Sequence, residues 1–410
     1  MEMIEEVVIV GGGIAGLATA LGLHRNGVNV LVLESSTALR VTGFAFATWT
    51  NGWKALDAMG IASELRENHV LLHGLSVYPS QSDQAGEELS FYTSKGKTPG
   101  HEVRCVRRKM LLEALTKELP DGAIRFSAKL VSLEDSGYFK RLHLSDGSVI
   151  KAKTLIGCDG INSVVARSLG FKKLAFSRRF AVRGYAEFTE SHNLEHKFHL
   201  FLGRGVRIGL IPCDDKFVYW FLTCTSDGSF AEEEEDQRSP IELKQFVLNH
   251  AEGLPEHVKT ILEATNLHSI QSVPLHYRPP WQILWGNISK GNACVAGDAL
   301  HPMTPDIGQG ACTALEDGVV LARCLSSALR RNGSTATEGE EYERIEAALK
   351  NYGRERRWRS FSVACTALVV GAIQQSDNKV VSFVRGKLML KYLSSLLLKR
   401  SEYDCGKLVS

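Results

Sequence analysis

Three glycines near the amino terminus have the spacing of a phosphate-binding turn. Gly11, Gly13 and Gly16 follow a short apolar run and precede an apolar helical pattern. In such a turn, the first glycine permits the tight bend, the second lets the backbone approach a pyrophosphate, and the third lets the helix pack on the strand. Ile14 and Ala15 stand at the helix start, where backbone N–H groups face the ligand. The pattern predicts a dinucleotide site.

An acidic residue stands where such a site needs one. Glu34 follows the apolar run 28–33, which indicates a second strand. A carboxylate there hydrogen-bonds the ribose hydroxyls and repels a 2′-phosphate, so the pattern favours FAD or NAD over NADP without choosing between the first two. Because no second Gly-x-Gly-x-x-Gly follows a strand, a separate nicotinamide domain is not expected.

Two further predicted strands end in acids. Asp159 follows the apolar run 154–158, and Asp298 follows a second short run. Pro305 then breaks the chain, and Gly308 and Gly310 precede a helix. Glycines let a backbone approach a flat ligand, and the start of a helix offers unpaired N–H groups. Because the carboxyl ends of parallel strands meet at one edge of a sheet, these residues should line one crevice.

The elements that position these residues indicate an α/β protein. Apolar runs alternating with helical patterns predict a discontinuous Rossmann-like domain, whereas long alternating strands between residues 176 and 224 predict an inserted antiparallel-sheet domain. A loop or small hairpin is expected between residues 78 and 100. The predicted boundaries are 1–75, 101–170 and 286–360 for the first domain, 76–100 and 171–285 for the second, and 361–410 for a C-terminal helical segment.

The composition excludes several classes of protein. A net charge of +2 over 410 residues gives no field that favours nucleic acid, and nine scattered cysteines without a Cys-x-x-Cys pair support neither a disulfide framework nor a metal site. The acidic amino terminus predicts a cytoplasmic protein, and no apolar run is long enough for a transmembrane segment. The basic helical pattern at 387–393 fits a membrane surface or, preferably, the protein's own body.

The three strand-end motifs occur in the order typical of one family. GlyGlyGlyIleAlaGly at 11–16, CysAspGlyIleAsnSer at 158–163 and GlyAspAlaLeuHisProMetThrProAspIleGlyGlnGly at 297–310 resemble the fingerprints of the single-component (class A) FAD-dependent monooxygenases, the aromatic-hydroxylase family. The third motif is most similar to the plant salicylate-hydroxylase-like branch. The resemblance implies that the Rossmann-like domain binds FAD and that the inserted domain binds substrate.

The resemblance also implies a role for each motif. The glycines and Glu34 would hold the ADP half of FAD, with Asp159 in the second motif. Asp298 would hydrogen-bond the ribityl chain, the loop from Pro305 to Gly310 would border the isoalloxazine ring, and Arg108 would approach the flavin. The segment of the second motif contacts both FAD and NAD(P)H in the family. Many members carry arginine where this chain has Ala166, so its nicotinamide role stays open.

The activity implied is an NAD(P)H monooxygenase (EC 1.14.13-like). NADH or NADPH would bind transiently, and O2 would form a flavin C4a-hydroperoxide that hydroxylates an aromatic or conjugated small molecule. No acid, base or metal is assigned, His301 is expected to be structural, and the protein would be a monomer or homodimer. An epoxidase, another oxidoreductase and a non-catalytic flavin-binding protein remain alternatives. The pocket candidates, each also typical of ordinary strand packing or a solvated arginine, are Arg183, Tyr185, Arg207, Tyr219 and Trp220.

Overall fold

The fold includes seventeen strands and ten α-helices, with a further short helical stretch at 396–400, in the part of the chain that the computed structural model describes, residues 3–79, 87–92, 100–203, 205–225, 238–329, 337–374 and 396–408. The strands are β1 (Met3–Val10), β2 (Val30–Leu33), β3 (Ala45–Thr48), β4 (Gly74–Pro79), β5 (Glu87–Ser90), β6 (Arg104–Arg107), β7 (Ile124–Arg125), β8 (Leu130–Ser136), β9 (Phe139–Leu144), β10 (Val149–Gly157), β11 (Ala175–Glu187), β12 (Phe198–Leu202), β13 (Val206–Pro212), β14 (Phe217–Thr225), β15 (Ile270–Tyr277), β16 (Ser289–Lys290) and β17 (Ala293–Val295). The helices are α1 (Ile14–Arg25), α2 (Thr50–Ala58), α3 (Ala62–Glu67), α4 (Arg108–Thr116), α5 (Val164–Ser168), α6 (Pro240–His250), α7 (Glu256–Glu263), α8 (Pro280–Trp285), α9 (Gly310–Leu329) and α10 (Glu338–Gln374).

The first sheet has parallel strands at its centre. Its order is β16-β17-β10-β1-β2-β7, and β8 and β9 join through β9, which pairs antiparallel with the beginning of β10. β1 is parallel to both β10 and β2, while β17 is parallel to the end of β10. The carboxyl ends of β1, β2, β10 and β17 therefore lie along one edge, as the apolar runs predict.

Helices α1 and α9 pack against each other beside this sheet, because small residues let their backbones approach. A β-carbon added at Gly22 of α1 would lie 2.7 Å from the β-carbon of Ala322, and one added at Gly318 of α9 would lie 2.7 Å from that of Ala18. The fully buried strand residues of β1 contribute to the same apolar core. This packing fixes the starts of both helices relative to the carboxyl edge of the sheet.

The second sheet has seven strands in the order β15-β11-β14-β13-β12-β4-β5. The prediction of an antiparallel sheet holds for most pairs, but β12 and β4 are parallel. The reason is that the chain leaves the first domain early to supply β4 and β5. These two strands form a hairpin that begins at Gly74, four residues before the segment 78–100 in which a loop or small hairpin was expected. One face of the sheet packs on α6 and α7, and the other faces β3, β6 and the beginning of α9.

The long helix α10 runs beside α9 and α8. It is continuous through residue 360, so the predicted boundary at that position falls inside a single helix. Within the residues given above, no helix combines the length and apolar composition needed to cross a membrane. The basic pattern at 387–393 and the acidic run at 232–236 lie outside the described residues.

Candidate functional site

The glycine turn after β1 leaves no room for larger side chains at two of its three positions. Gly11 has a φ of 108°, and a β-carbon there would lie 2.3 Å from the carbonyl oxygen of Cys158. A β-carbon on Gly16 would lie 1.9 Å from the carbonyl oxygen of Gly11, whereas one on Gly13 would meet no atom within 4 Å. The turn thus packs tightly on the sheet side and opens on the side where the pattern predicts a pyrophosphate.

The start of α1 has the electrostatic character of an anion site. Gly13 is its N-cap, no side chain caps it, and its first turn, which begins with Ile14 and Ala15, contains no acidic residue. The first N–H groups of the helix therefore keep their hydrogen-bonding capacity, and the helix dipole places partial positive charge beside the open face of Gly13. A phosphate group fits this environment.

Glu34 directly follows β2 and is a buried, ionised carboxylate. One oxygen accepts a hydrogen bond from the N–H of Gly12 at 2.8 Å, and the other accepts one from the N–H of Ser36, also at 2.8 Å. Burial alone would raise the pKa of Glu34, but these N–H groups and the Arg40 guanidinium at 3.4 Å hold it below its ordinary value. The carboxylate is thus fixed beside the glycine turn, as recognition of a ribose requires.

Asp159, at the end of β10, uses its carboxylate within its own loop. One oxygen accepts from the Ser163 hydroxyl and the other from the Val164 N–H at 2.7 Å. Burial raises the pKa of Asp159, and these hydrogen bonds offset only part of that rise. Asp159 lies beside Gly11 at the carboxyl edge of the first sheet. The hydrogen bonds that its carboxylate accepts stabilise the loop that leads into α5.

Asp298 and Arg108 lie close enough for their charges to interact near the carboxyl edge of the first sheet. The side chain of Asp298 is exposed after β17, and its charge acts on Arg108 at the start of α4. Burial lowers the pKa of Arg108 and Arg183 lowers it further, while Asp298 opposes both effects. Nε of Arg108 donates to the carbonyl oxygen of Arg40 at 3.2 Å. Arg108 therefore lies in the electrostatic field of one exposed carboxylate, that of Asp298, and of two other guanidinium groups, those of Arg183 and Arg40.

The loop before α9 forms another wall of the crevice. Pro305 begins a 3-10 turn that ends at Gly308, whose φ is 59°, and a β-carbon on Gly308 would lie 3.1 Å from Nε1 of Trp49. A β-carbon on Gly310 would meet no atom within 4 Å, and the first turn of α9 contains no acidic residue. The loop thus presents open backbone and a helix start, the features that suit a flat, electron-rich ring.

A buried ionic network holds this loop and was not predicted from the sequence. Arg356 of α10 donates to Asp317 at 2.6 Å and to Glu316 at 2.7 Å. Asn51 of α2 donates to Glu316 at 2.6 Å and to Gln309 at 2.8 Å. The available signal was the pair of acids in the otherwise apolar stretch that forms α9, since buried carboxylates need cationic partners.

His301 joins this network through Asp317. Its Nε2 lies 2.7 Å from the Asp317 carboxylate, which also accepts from the N–H of Gly297 at 2.7 Å. Burial alone would raise the pKa of Asp317, but the charges of His301 and Arg356 and the donated hydrogen bonds lower it to about 2. His301 therefore ties the Gly297 turn to α9, in keeping with the structural role expected of it.

Three of the pocket candidates share the face of the second sheet that looks toward the crevice. Burial raises the pKa of the Tyr219 phenol on β14 to about 12, and the nearby charge of Arg183 on β11 opposes the rise. Tyr185 packs between Phe44, with ring centroids 5.2 Å apart, and Phe217, at 4.5 Å. Tyr219 is thus a neutral hydrogen-bonding group beside a cation, and Tyr185 forms part of the aromatic wall.

Arg207 lies on the same face and pairs with the flavin-side loop. Nη1 of Arg207 is 3.4 Å from the carboxylate of Asp306, which also accepts two hydrogen bonds from Arg179, at 2.9 and 2.8 Å. All three side chains are at least nine-tenths buried. The second sheet is therefore joined to the loop before α9 by an ion pair that the sequence did not reveal.

Trp220 lies on the opposite face. Strand alternation points it away from Tyr219, and its Nε1 donates to the Thr265 hydroxyl at 2.8 Å in the core beneath α6 and α7. Trp220 therefore does not line the pocket, contrary to the prediction. Within the described part of the chain, no group of three or more histidine, cysteine or acidic side chains is placed to hold a metal ion.

Comparison with known proteins identifies the class to which this site belongs. A family model described as an FAD binding domain matches residues 5–357. Monooxygenase 2 of Arabidopsis thaliana is 51% identical over 408 residues, which cover 98% of each chain. Monooxygenase 1 of the same organism is 36% identical over 405 residues, which cover 98% of this chain and 99% of the relative. The chain belongs to the FAD-dependent monooxygenase family.

A solved structure supports the fold. Klebsiella pneumoniae HpxO complexed with FAD and uric acid superposes with a TM-score of 0.81 at 21% identity, covering 97% of this chain and 96% of that one. The residues of this chain fit FAD, because the open face at Gly13, the uncapped start of α1 and the fixed Glu34 carboxylate suit its ADP half. The predicted membership of the FAD-dependent monooxygenase family is confirmed, and the FAD-binding family model supports the predicted FAD cofactor.

Proposed function

We propose that this enzyme consumes NADH or NADPH and O2 to hydroxylate an aromatic or conjugated small molecule. The observation that carries the proposal is the contact between the second sheet and the loop before α9, where Arg179 and Arg207 pair with Asp306, since it brings the carboxyl edge of the first sheet against the second sheet. The bound FAD would take electrons from the nicotinamide and activate O2. The protein's part is to hold the cofactor, orient the substrate and exclude water.

The cofactor would lie along the carboxyl edge of the first sheet. Gly11, Gly13 and Gly16 would surround the pyrophosphate, and Glu34 would accept hydrogen bonds from the ribose. Asp298, being exposed at its strand end, would accept hydrogen bonds from the ribityl hydroxyls. The loop from Pro305 to Gly310 would then border the ring, with the start of α9 providing partial positive charge next to it.

The substrate would lie between the ring and the second sheet. Arg183 would provide a positive charge, and Tyr219, whose pKa of about 12 keeps it protonated near neutral pH, could donate a hydrogen bond. Such a pair suits a ring that carries a hydroxyl or a carboxylate group. The Arg207 and Asp306 pair closes one side, and Tyr185 supplies an apolar wall.

The test is a screen of hydroxylated and carboxylated aromatic compounds with the FAD-loaded protein. NADH and NADPH are supplied separately, while nicotinamide oxidation, peroxide release and incorporation of label from isotopic O2 are measured together. A substrate should stimulate oxidation with little peroxide and yield a product carrying one labelled oxygen. A turned-over product without label would indicate another flavin oxidoreductase, and oxidation that no compound stimulates would indicate a non-catalytic flavoprotein.

A further inference from the structure

Three large aromatic side chains stand on the surface away from the crevice. Trp281 and Trp285 of α8 are 56% and 77% exposed, and Trp358 of α10 is 64% exposed. Six tryptophans occur in the chain, so half of them are among its exposed large apolar side chains. Burying such a side chain is favourable by about 1.5–3 kcal/mol. A surface that leaves three of them in water therefore calls for an explanation.

These residues belong to two helices that contact each other, and we call them together the tryptophan face (Trp281, Trp285 and Trp358). Ile283 on the other side of α8 is fully buried, so its two tryptophans, four residues apart, point outward together. Arg357, next to Trp358, donates to the carbonyl oxygens of Ile283, Leu284 and Gly286 at 2.7 to 2.9 Å. The end of α8 is thereby fixed to α10.

The chain around this face is rich in basic residues and poor in acids. Residues 160–186 and 264–297 contain no aspartate or glutamate. Lys172 and Lys173 are exposed, and the carbonyl oxygen of Lys172 accepts a hydrogen bond from Arg278, which directly precedes the prolines at the start of α8. Arg354 is exposed one turn before Trp358 on α10. Glu355, between Arg354 and Trp358 on α10, is exposed but is paired with Arg323. The face therefore combines protruding indole rings with an excess of basic over acidic neighbours.

We propose that the tryptophan face binds the surface of an anionic lipid membrane. Indole rings prefer the boundary between headgroups and acyl chains, and basic residues beside them are attracted to anionic lipid. A second copy of the chain would bring the same positive charges together, which disfavours self-pairing through this face. The proposal is independent of the reaction, because none of these residues lies in the crevice.

The experiment is flotation of the FAD-loaded protein with lipid vesicles. The protein should bind vesicles that contain equal amounts of phosphatidylserine and phosphatidylcholine, and bind phosphatidylcholine alone far more weakly. Lys172→Ala with Lys173→Ala should weaken binding to the anionic vesicles by about 30-fold. Trp285→Ala with Trp358→Ala should abolish it. Ile241→Ala, which removes a 66% exposed side chain from α6, is the matched control and should leave binding unchanged.

Brominated lipids provide a second measurement, because they quench only indoles that enter the bilayer. Quenching in the wild type that is lost with the Trp285 and Trp358 replacements supports the proposal. Three results overturn it: no binding to anionic vesicles, binding that survives loss of the tryptophans, or concentration-dependent self-association that those replacements abolish. Unchanged flavin content and melting temperature in each variant establish that it folds.

Discussion

At the scale of single residues, the carboxylates of this site differ in how many hydrogen bonds they already accept from the protein. Both carboxylate oxygens of Asp159 accept hydrogen bonds from its own loop, while those of Glu34 accept hydrogen bonds from two backbone N–H groups. Asp298 is exposed in the crevice, with Arg108 in its field. Three acids that follow strands in the same way are therefore suited to different tasks: shaping a loop, holding a ribose and binding the ribityl chain.

We expect Asp298→Ala to weaken FAD binding by about tenfold, the effect of losing a hydrogen bond to a charged group. The ratio of flavin absorbance to protein absorbance after gel filtration, together with titration of the apoprotein, measures the change. Asp121→Ala, an exposed acid after α4, is the control and should retain flavin. Unchanged flavin affinity in the Asp298 variant would remove the ribityl assignment.

We expect the stability of the folded protein to depend on pH through Asp317. Its pKa in the folded protein is about 2, below its ordinary value of 3.8, so its stabilising effect is complete above about pH 4 and disappears as the pH falls toward 2. The shift corresponds to roughly 2 kcal/mol of unfolding free energy. Melting temperatures from pH 5 to about 2 should therefore fall more steeply for the wild type than for Asp317→Asn. Parallel curves would contradict this assignment.

At the scale of elements, local rules made the first strand, turn and helix predictable. The apolar run, the glycine spacing and the following helical pattern lie within 20 residues of sequence, and β1, Gly11 and α1 follow them. Alternation along β14 likewise requires Tyr219 and Trp220 to face opposite ways. Which of them faces the crevice depends on where α6 and α7 pack, and that contact between distant segments is absent from the local pattern.

The glycine turn offers a matched pair of substitutions. Gly16→Ala places a methyl group 1.9 Å from the Gly11 carbonyl oxygen, so we expect a loss of about 2 kcal/mol or more in stability. Gly13→Ala meets no protein atom within 4 Å, so only the poorer N-cap should matter, and the apoprotein should lose less than about 1 kcal/mol in stability. Thermal unfolding of the apoproteins measures both.

The variants Gly16→Ala and Gly13→Ala also distinguish an effect on packing from an effect on FAD binding. The methyl group of Gly13→Ala would enter the space proposed for the pyrophosphate, so FAD affinity should fall although the apoprotein melts normally. Isothermal titration of the apoprotein with FAD gives the affinity. Full FAD affinity in Gly13→Ala would mean that the pyrophosphate lies elsewhere.

At the scale of the whole molecule, the two sheets meet through buried charges. Arg179 of β11 and Asp306 of the loop before α9 are 127 positions apart and form two hydrogen bonds. Burial alone would raise the pKa of Asp306, but Arg207 and Arg179 hold it below its ordinary value. The sequence showed both segments but not their pairing, because nothing local in either segment specifies the partner of a buried arginine or aspartate.

Replacing Arg179 with lysine tests whether this pair sets the geometry between the sheets. Lysine keeps the charge but lacks the planar group that bonds both oxygens of Asp306, so we expect a loss of about 1 to 3 kcal/mol in stability. The neighbouring Arg178 is exposed, and Arg178→Lys should have no comparable effect. If the proposed reaction is correct, a less firmly closed crevice should also admit water, so Arg179→Lys should release more peroxide per nicotinamide oxidised than either the wild type or Arg178→Lys. Lower stability with unchanged peroxide release would restrict the Arg179 pair to a structural role.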